Sequence, residues 1–241
     1  MLEFIAGSTA AVLIGLAKTG VPGLGILIVP LAGFAFPVKE AVGFVLPMLL
    51  IGDVFAVVRY RRHVQWDRIA VLLPFVLAGM VPGFLLLVYV PSTLLETLIG
   101  SMILCLVVIE YLRRSRDWKA FPDTWWFSGL FGALAGFATA VAHAAGPVMG
   151  IYLLSRGLNK QRFMGTRAWF FFIVNLAKLP VYIPEGMITP GTLISNARFL
   201  PCIVLGVCAG FLVLDRIPQK IFNYTVLFLA GLAAVKMVVS G

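Results

Sequence analysis

Five side chains stand where a hydrophobic chain has least use for them. Lys18 opens an interruption in a long apolar run, Lys18-Thr19-Gly20-Val21-Pro22-Gly23-Leu24-Gly25. His143 opens a second one, His143-Ala144-Ala145-Gly146-Pro147, between apolar Trp125–Ala142 and Val148–Leu154. Asp53 lies deep in the apolar stretch that contains Pro47, and Asn175 and Lys178 share Asn175-Leu176-Ala177-Lys178-Leu179-Pro180. Ionisable groups are expensive in hydrocarbon, so they pair with one another or line a watery path. Ammonium and amide groups of this kind collect an anion. A carboxylate and an imidazole can carry a proton. For Lys18 the alternative is to snorkel or to cap a helix end, and for His143 to be a satisfied packing residue. Asp53 and Lys178 read either as an ion pair that fixes two halves of the molecule or as a proton carrier and an anion contact.

The elements that position these groups follow from the breaks. Non-helical backbone at membrane depth is tolerated only where protein or a water-filled cavity surrounds it. A new helix starts after each break, with Pro22 and Pro147 in the first-turn position that suits a residue lacking N–H. Its free N–H groups and positive dipole end favour an anion. Thr19, Gly20 and Gly23 on the first tip, and Ala144 and Gly146 on the second, therefore join Lys18, His143, Asn175 and Lys178 as substrate-binding candidates. Asp53 and His143 are the candidates for proton coupling, and sodium held by unwound carbonyls is the alternative. Thr166 and Arg167, at the start of a later segment, stand where they could meet an arriving anion.

The chain has 241 residues, 61% hydrophobic and 12% charged, which describes a polytopic membrane protein. Apolar segments are expected at about 2–36 (broken), 38–58, 69–90, 93–112, 125–156 (broken), 164–183, 197–214 and 219–239. The N-terminal run lacks a basic leader and does not read as a cleavable signal. The two groups of four segments align: Pro74 with Pro201, Gly79-x-x-x-Gly83 with Gly206-x-x-x-Gly210, Pro91 with Pro218, Pro22 with Pro147 and Gly25 with Gly150. Small-xxx-small spacing allows helices to approach closely in lipid.

Loop charge decides between two topologies. If each broken segment is a re-entrant hairpin of half-helices about 10–15 residues long, only Lys18, Lys39, Lys178, Arg198 and Lys236 of the 19 basic residues miss one common face. If each broken segment crosses once, the basic loops divide between both faces. The sequence thus predicts an all-α polytopic membrane protein of two inverted repeats, each a broken re-entrant helical hairpin plus three transmembrane helices. Residues 1–112 form the first repeat, 113–124 a basic cytoplasmic linker and 125–241 the second, with both termini outside.

The net charge of +9 lies in these loops and gives no reason to invoke nucleic acid. Cys105, Cys202 and Cys208 sit in apolar segments without a C-x-x-C pattern, so neither a disulfide framework nor a metal site is expected, and no cofactor is called for. No Ser-His-Asp, H-E-x-x-H or P-loop pattern is present, which leaves an enzyme or ATP-driven pump without its parts.

The break Gly20-Val21-Pro22-Gly23-Leu24-Gly25 leading to Pro30, the break at His143–Pro147, and Gly165-Thr166, Asn175-x-x-Lys178, Tyr182 and Gly206-x-x-x-Gly210 together resemble the sulfite exporter TauE/SafE family, the DUF81-type, four-TMS sulfonate-uptake-protein permeases. That resemblance implies a bacterial inner-membrane transporter of small sulfur-containing anions such as sulfite, sulfoacetate or other organosulfonates, with export proposed for several members. Its partners would be the small anionic solute, a coupling proton and the lipid bilayer, with a homodimer compatible. A passive anion channel and a small organic-acid permease are the alternatives.

Overall fold

The computed structural model describes residues 2–20, 24–33, 36–115, 124–212, 228, 231–232, 234–236 and 238–239. Among them all regular structure is helical. The first half supplies α1 (Leu2–Thr19), α2 (Gly25–Ala32), α3 (Val38–Tyr60), α4 (Trp66–Tyr89) and α5 (Ser92–Ser115). The second supplies α6 (Trp125–Ala142), α7 (Gly146–Ser155), α8 (Lys160–Leu176), α9 (Leu179–Tyr182), α10 (Pro190–Ala197) and α11 (Leu200–Leu212). Among the described residues four helices are long and apolar enough to cross a membrane, or five if α10 and α11, bent by 53°, count as one span. Gly23, Pro22, most of the basic linker and more than half of the eighth expected segment lie outside the described residues.

Both broken segments fold back on themselves. Phe4 near the start of α1, Phe36 just after α2, and Lys39 and Glu40 at the start of α3 line one cavity of about 640 Å³. In the second half, Ser128 and Phe127 at the start of α6 meet the end of α7. The Ser128 hydroxyl lies 3.3 Å from the Tyr152 hydroxyl and accepts from Arg156 Nη2 at 3.1 Å, and the Phe127 and Tyr152 rings stack at 6.3 Å. In each half the end of the second arm thus lies near the start of the first.

Helices α3 and α8 pack side by side and run in opposite directions. Gly43, near the start of α3, lies against the Met187 backbone beyond α9, while Gly165 near the start of α8 lies against Tyr60 and His63 at the end of α3. The Gln65 N–H donates to Thr166 Oγ1 at 3.0 Å at that same end. The halves also exchange helices: α1 packs on α11, and α6 packs on α4. These contacts depend on glycine. A Cβ at Gly206 would strike the Val12 backbone, one at Gly15 the Ile203 and Val207 backbone, one at Gly79 Ala133 and one at Gly136 Val76. Close backbone approach of this kind is what holds helices together in lipid.

Three expectations need correction. The first arms, α1 and α6, are 18 residues each and not about 10–15, whereas the second arms, α2 and α7, have 8 and 10. Small residues along α1 and α6 let these arms slide past the middle of the partner helices. The segment expected at 164–183 is broken after Leu176, because Pro180 has no N–H for the Leu176 carbonyl and its ring would crowd that carbonyl. Finally, α10 was not foreseen as an apolar segment. It is started by Thr189, whose Oγ1 accepts from the Thr192 N–H at 3.1 Å, followed by Pro190 in the first turn.

Candidate functional site

The ends of α1 and α6 are joined by a single chain of buried polar side chains. Lys18, in the last turn of α1, places Nζ 2.6 Å from Asp53 Oδ1 on α3. The other carboxylate oxygen of Asp53 accepts from Asn175 Nδ2 on α8 at 2.6 Å. Asn175 Oδ1 in turn accepts from Lys178 Nζ at 2.9 Å. That ammonium also donates to Thr139 Oγ1 at 2.8 Å and meets His143 Nδ1 at 2.7 Å. Asp53 and Lys178 are fully buried, and Lys18, at 9% exposure, is the most open member of the chain.

The hydrogen-bond roles are fixed by elementary accounting. His143 Nε2 lies 2.9 Å from the Val42 carbonyl, which can only accept, so Nε2 carries the hydrogen. The neutral ring then offers its Nδ1 lone pair to Lys178. An ammonium has three N–H donors, and Lys178 meets three acceptors: Thr139, His143 and Asn175. A second proton on His143 would aim an N–H at that ammonium, so the imidazole is held neutral while Lys178 is charged.

His143 holds its place at a backbone cost. It ends α6 in the left-handed region, at φ 52°, the only non-glycine residue with positive φ among those described. The Ala144 N–H closes back to Ala138 O and the His143 N–H to Thr139 O, each at 3.2 Å, the pattern of a Schellman end that ordinarily takes glycine. A residue with a Cβ gives up roughly 1–2 kcal/mol there. Such an outlier, with its ring bridging Val42 and Lys178, points to a role for the ring.

A third cation borders the chain. Arg167 on α8 is 5% exposed and donates Nη1 to Ala17 O at 3.2 Å. Its guanidinium and the Lys18 ammonium sit over the same ring, Phe171, at 5.5 and 4.7 Å from the centroid. The buried group thus holds three cations, Lys18, Lys178 and Arg167, against the single carboxylate of Asp53. An uncompensated buried charge is strongly unfavourable, so this environment is set up for a further negative charge.

The tips themselves are arranged differently from the simple picture of two ends facing each other. Lys18 meets α3 at Asp53, while His143 meets the same helix at Val42, about 16 Å lower along its axis at ~1.5 Å per residue. The first arms therefore overlap, and it is the second arms that begin close together. A Cβ at Gly25, the first residue of α2, would lie 3.9 Å from the His143 carbonyl. Gly146 and Gly150 on α7 are buried, yet a Cβ on either would meet no atom within 4 Å.

Of the residues expected from sequence, Lys18, Asp53, His143, Asn175 and Lys178 come together. Thr19 is turned away: its hydroxyl donates to Gly15 O at 2.8 Å and faces Val207 and Gly210 on α11. The N–H groups of Gly20 and Ala144 are spent closing helix ends, on Leu16 O and Ala138 O. Gly146 borders the open space. Gly23 lies outside the described residues. Thr139, Tyr60 and Val42 are not among the site residues expected from the sequence. Thr139 stands one helical turn before His143, and that spacing was the available signal. Tyr60 donates its hydroxyl to Thr19 O at 3.0 Å, and Tyr182 donates to Ala140 O at 2.7 Å, one capping the end of each first arm. Asp53 and Asn175 are 122 residues apart, the same offset as Tyr60 and Tyr182. Among the described residues no group of three or more His, Cys, Asp or Glu is placed to hold a metal ion.

The family model of the sulfite exporter TauE/SafE family matches residues 7–237, and the chain belongs to that family. No curated protein and no solved structure matches it. It is accordingly a multi-pass membrane protein of a family of transporters that export sulfite or a related small anion.

Proposed function

We propose that this member of the sulfite exporter TauE/SafE family is a proton-coupled secondary transporter of small sulfur oxyanions. Sulfite, sulfoacetate or another organosulfonate leaves the cell by alternating access across the bacterial inner membrane. The observation that carries this reading is the charge imbalance at the buried chain, three cations against one carboxylate. The anion sits near mid-membrane, by the adjoining starts of α2 and α7, where two sets of free N–H groups and the space beside Gly146 and Gly150 favour it.

Coupling follows from competition for Lys18. With Asp53 ionised, its carboxylate occupies the ammonium. A proton on Asp53 removes that internal anion and frees Lys18 for the substrate, so anion and proton bind together. A doubly charged anion leaving with one proton still carries negative charge outward, a movement that an inside-negative membrane potential drives. Sodium is less well served, because the carbonyls near the breaks are engaged by other donors: Ala17 by Arg167, Thr19 by Tyr60 and Val42 by His143.

An inverted duplication accounts for the rest of the design. It is supported by the opposed directions of α3 and α8, by the exchange of α1 and α6 between halves, and by the two tyrosine caps. Asp53 and Asn175, occupying corresponding positions, hydrogen-bond to each other, as corresponding residues do only near the axis that relates them. In this arrangement the Arg59–His63 end of α3 is cytoplasmic and both termini are outside. Purified protein in liposomes tests the proposal. Sulfite or sulfonate flux should saturate, respond to a proton gradient and reverse with the membrane potential. No anion-dependent flux under any gradient would end it, and conductance without saturation would make the protein a channel.

A further inference from the structure

Arg167 is the one cation of the group that the coupling scheme leaves unused. Its guanidinium is 95% buried by exposure, sits on the second turn of α8 and contributes one bond, Nη1 to Ala17 O. Among the described residues its Nε has no hydrogen-bond partner. A buried donor left without a partner is costly, more so when it is charged. Lys18 also lies over the Phe171 ring, so an ammonium and a guanidinium share one aromatic ring. The backbone of Gly165, two residues before Arg167, lies against Tyr60 and His63, directly beneath the exposed turn that carries Arg61 and Arg62. Arg167 therefore stands between a basic surface and the buried chain.

We propose that Arg167 and Lys18 form an oxyanion-selecting station on the basic-face side of the Asp53–Asn175 bond. Arg167 grips two oxygens of one head group through its Nε–H edge while Nη1 stays on Ala17 O. This rests on the transport reading above and deepens it, because it names what the site selects: a head group with at least two oxygens on one centre, as in sulfite or a sulfonate. A spherical halide offers both donors one shared acceptor, whereas two oxygens on one centre match the parallel N–H bonds of the planar fork. Lysine at this position would keep the charge and a donor for Ala17 O, but it lacks the fork. Phe171 supplies an apolar floor that keeps both cations partly desolvated, which strengthens their pull on an anion.

The test compares wild type, Arg167→Lys and Arg167→Gln in liposomes, with sulfite, methanesulfonate and chloride as probes, and sulfite-dependent thermal stabilisation of each protein in detergent as a second readout. Arg167→Lys is expected to raise the KM for sulfite and methanesulfonate about tenfold or more, with a smaller effect on any chloride flux. It should also need about tenfold more sulfite for the same stabilisation. Arg167→Gln should do the same more strongly. Unaltered oxyanion KM and stabilisation in Arg167→Lys would overturn the proposal. So would a uniform loss for all three anions with a lowered melting temperature, the signature of a residue that only caps α1. Wild type without flux of any anion would overturn the transport reading and this one with it, an outcome distinct from flux that ignores residue 167.

Discussion

Asp53→Asn separates the roles of the buried chain with minimal change in shape. The amide of the new side chain can still present an oxygen to Asn175 Nδ2, which now bonds the carboxylate at 2.6 Å. What disappears is the negative charge 2.6 Å from Lys18, in a place where Asp53 is fully buried and Lys18 is 9% exposed. Removing one partner of a buried ion pair typically costs about 3–5 kcal/mol, because the other charge is left uncompensated. In anion-free buffer the variant should therefore melt roughly 6–20 °C lower, at about 2–4 °C per kcal/mol for a chain of this size. An anion that takes the vacated position recovers that energy. At ~1.4 kcal/mol per factor of ten, sulfite should bind the variant at least about a hundredfold tighter than wild type. Proton coupling should vanish as well, since residue 53 can no longer bind or release a proton. The assays are thermal unfolding in detergent across a sulfite titration, and liposome flux with and without a pH gradient. A variant whose flux still follows the pH gradient, or whose stability gains no more from sulfite than that of wild type, would refute the competition for Lys18.

Replacing both partners, as in Lys18→Met with Asp53→Asn, removes the ion pair without stranding Lys18 and keeps an acceptor for Asn175, so it should cost less stability than Asp53→Asn alone. Transport should nevertheless be lost, and a double variant that transports normally would reduce the pair to a structural lock. His143→Asn keeps a residue that tolerates the left-handed backbone at 143 but withdraws the ring from Lys178 and Val42. Its melting temperature should change little, or fall by a few degrees, while anion flux drops at least about tenfold, the equivalent of one ~1.4 kcal/mol hydrogen bond. A single cysteine at Arg62, in the exposed turn after α3, should react with an impermeant thiol reagent only from the cytoplasmic side, and a periplasm-active reporter joined at Gly241 should work. The opposite labelling would overturn the topology.

Much of the site was legible because charge in an apolar run is conspicuous whatever the fold. Lys18, Asp53, His143 and Lys178 stand out for that reason, and Asn175 for its turn-spacing from Lys178. What hydropathy does not encode is which of them touch. The link of Lys178 to Thr139 and His143 depends on α8 stopping at Leu176, and only Pro180 hinted at that stop. The overlap of α1 and α6 depends on Gly15, Gly136 and their neighbours admitting another backbone, a matter of approach distance and not of polarity. Arg167 is legible as a segment-start cation that could meet an arriving anion, but nothing in its neighbours along the chain tells that it points at Ala17 and Phe171. Helix α10 escaped because 8 residues are too few for a membrane-length pattern, although Thr189-Pro190-Gly191-Thr192 is a legible helix start.

Under the proposed proton-coupled scheme, the unequal chemistry of the two halves is what coupling would require. In the first half the end of the arm carries Lys18 and the neighbouring helix carries Asp53, a pair that a single proton can open. In the second half the corresponding positions carry His143 and Asn175, both neutral, and Lys178 is an added cation whose three donors are all satisfied by neutral acceptors. In that scheme Lys178, held by three neutral acceptors, would serve as the standing positive charge and Lys18 as the conditional one. A standing charge attracts the anion at every stage of the cycle. A conditional charge ties its capture to a proton. If both halves had kept an aspartate, the second carboxylate would cancel the attraction. If both had kept only neutral partners, nothing would link anion to proton. Asn175 bonds Asp53 on one side and Lys178 on the other, so it is the residue through which a change at the conditional charge reaches the standing one.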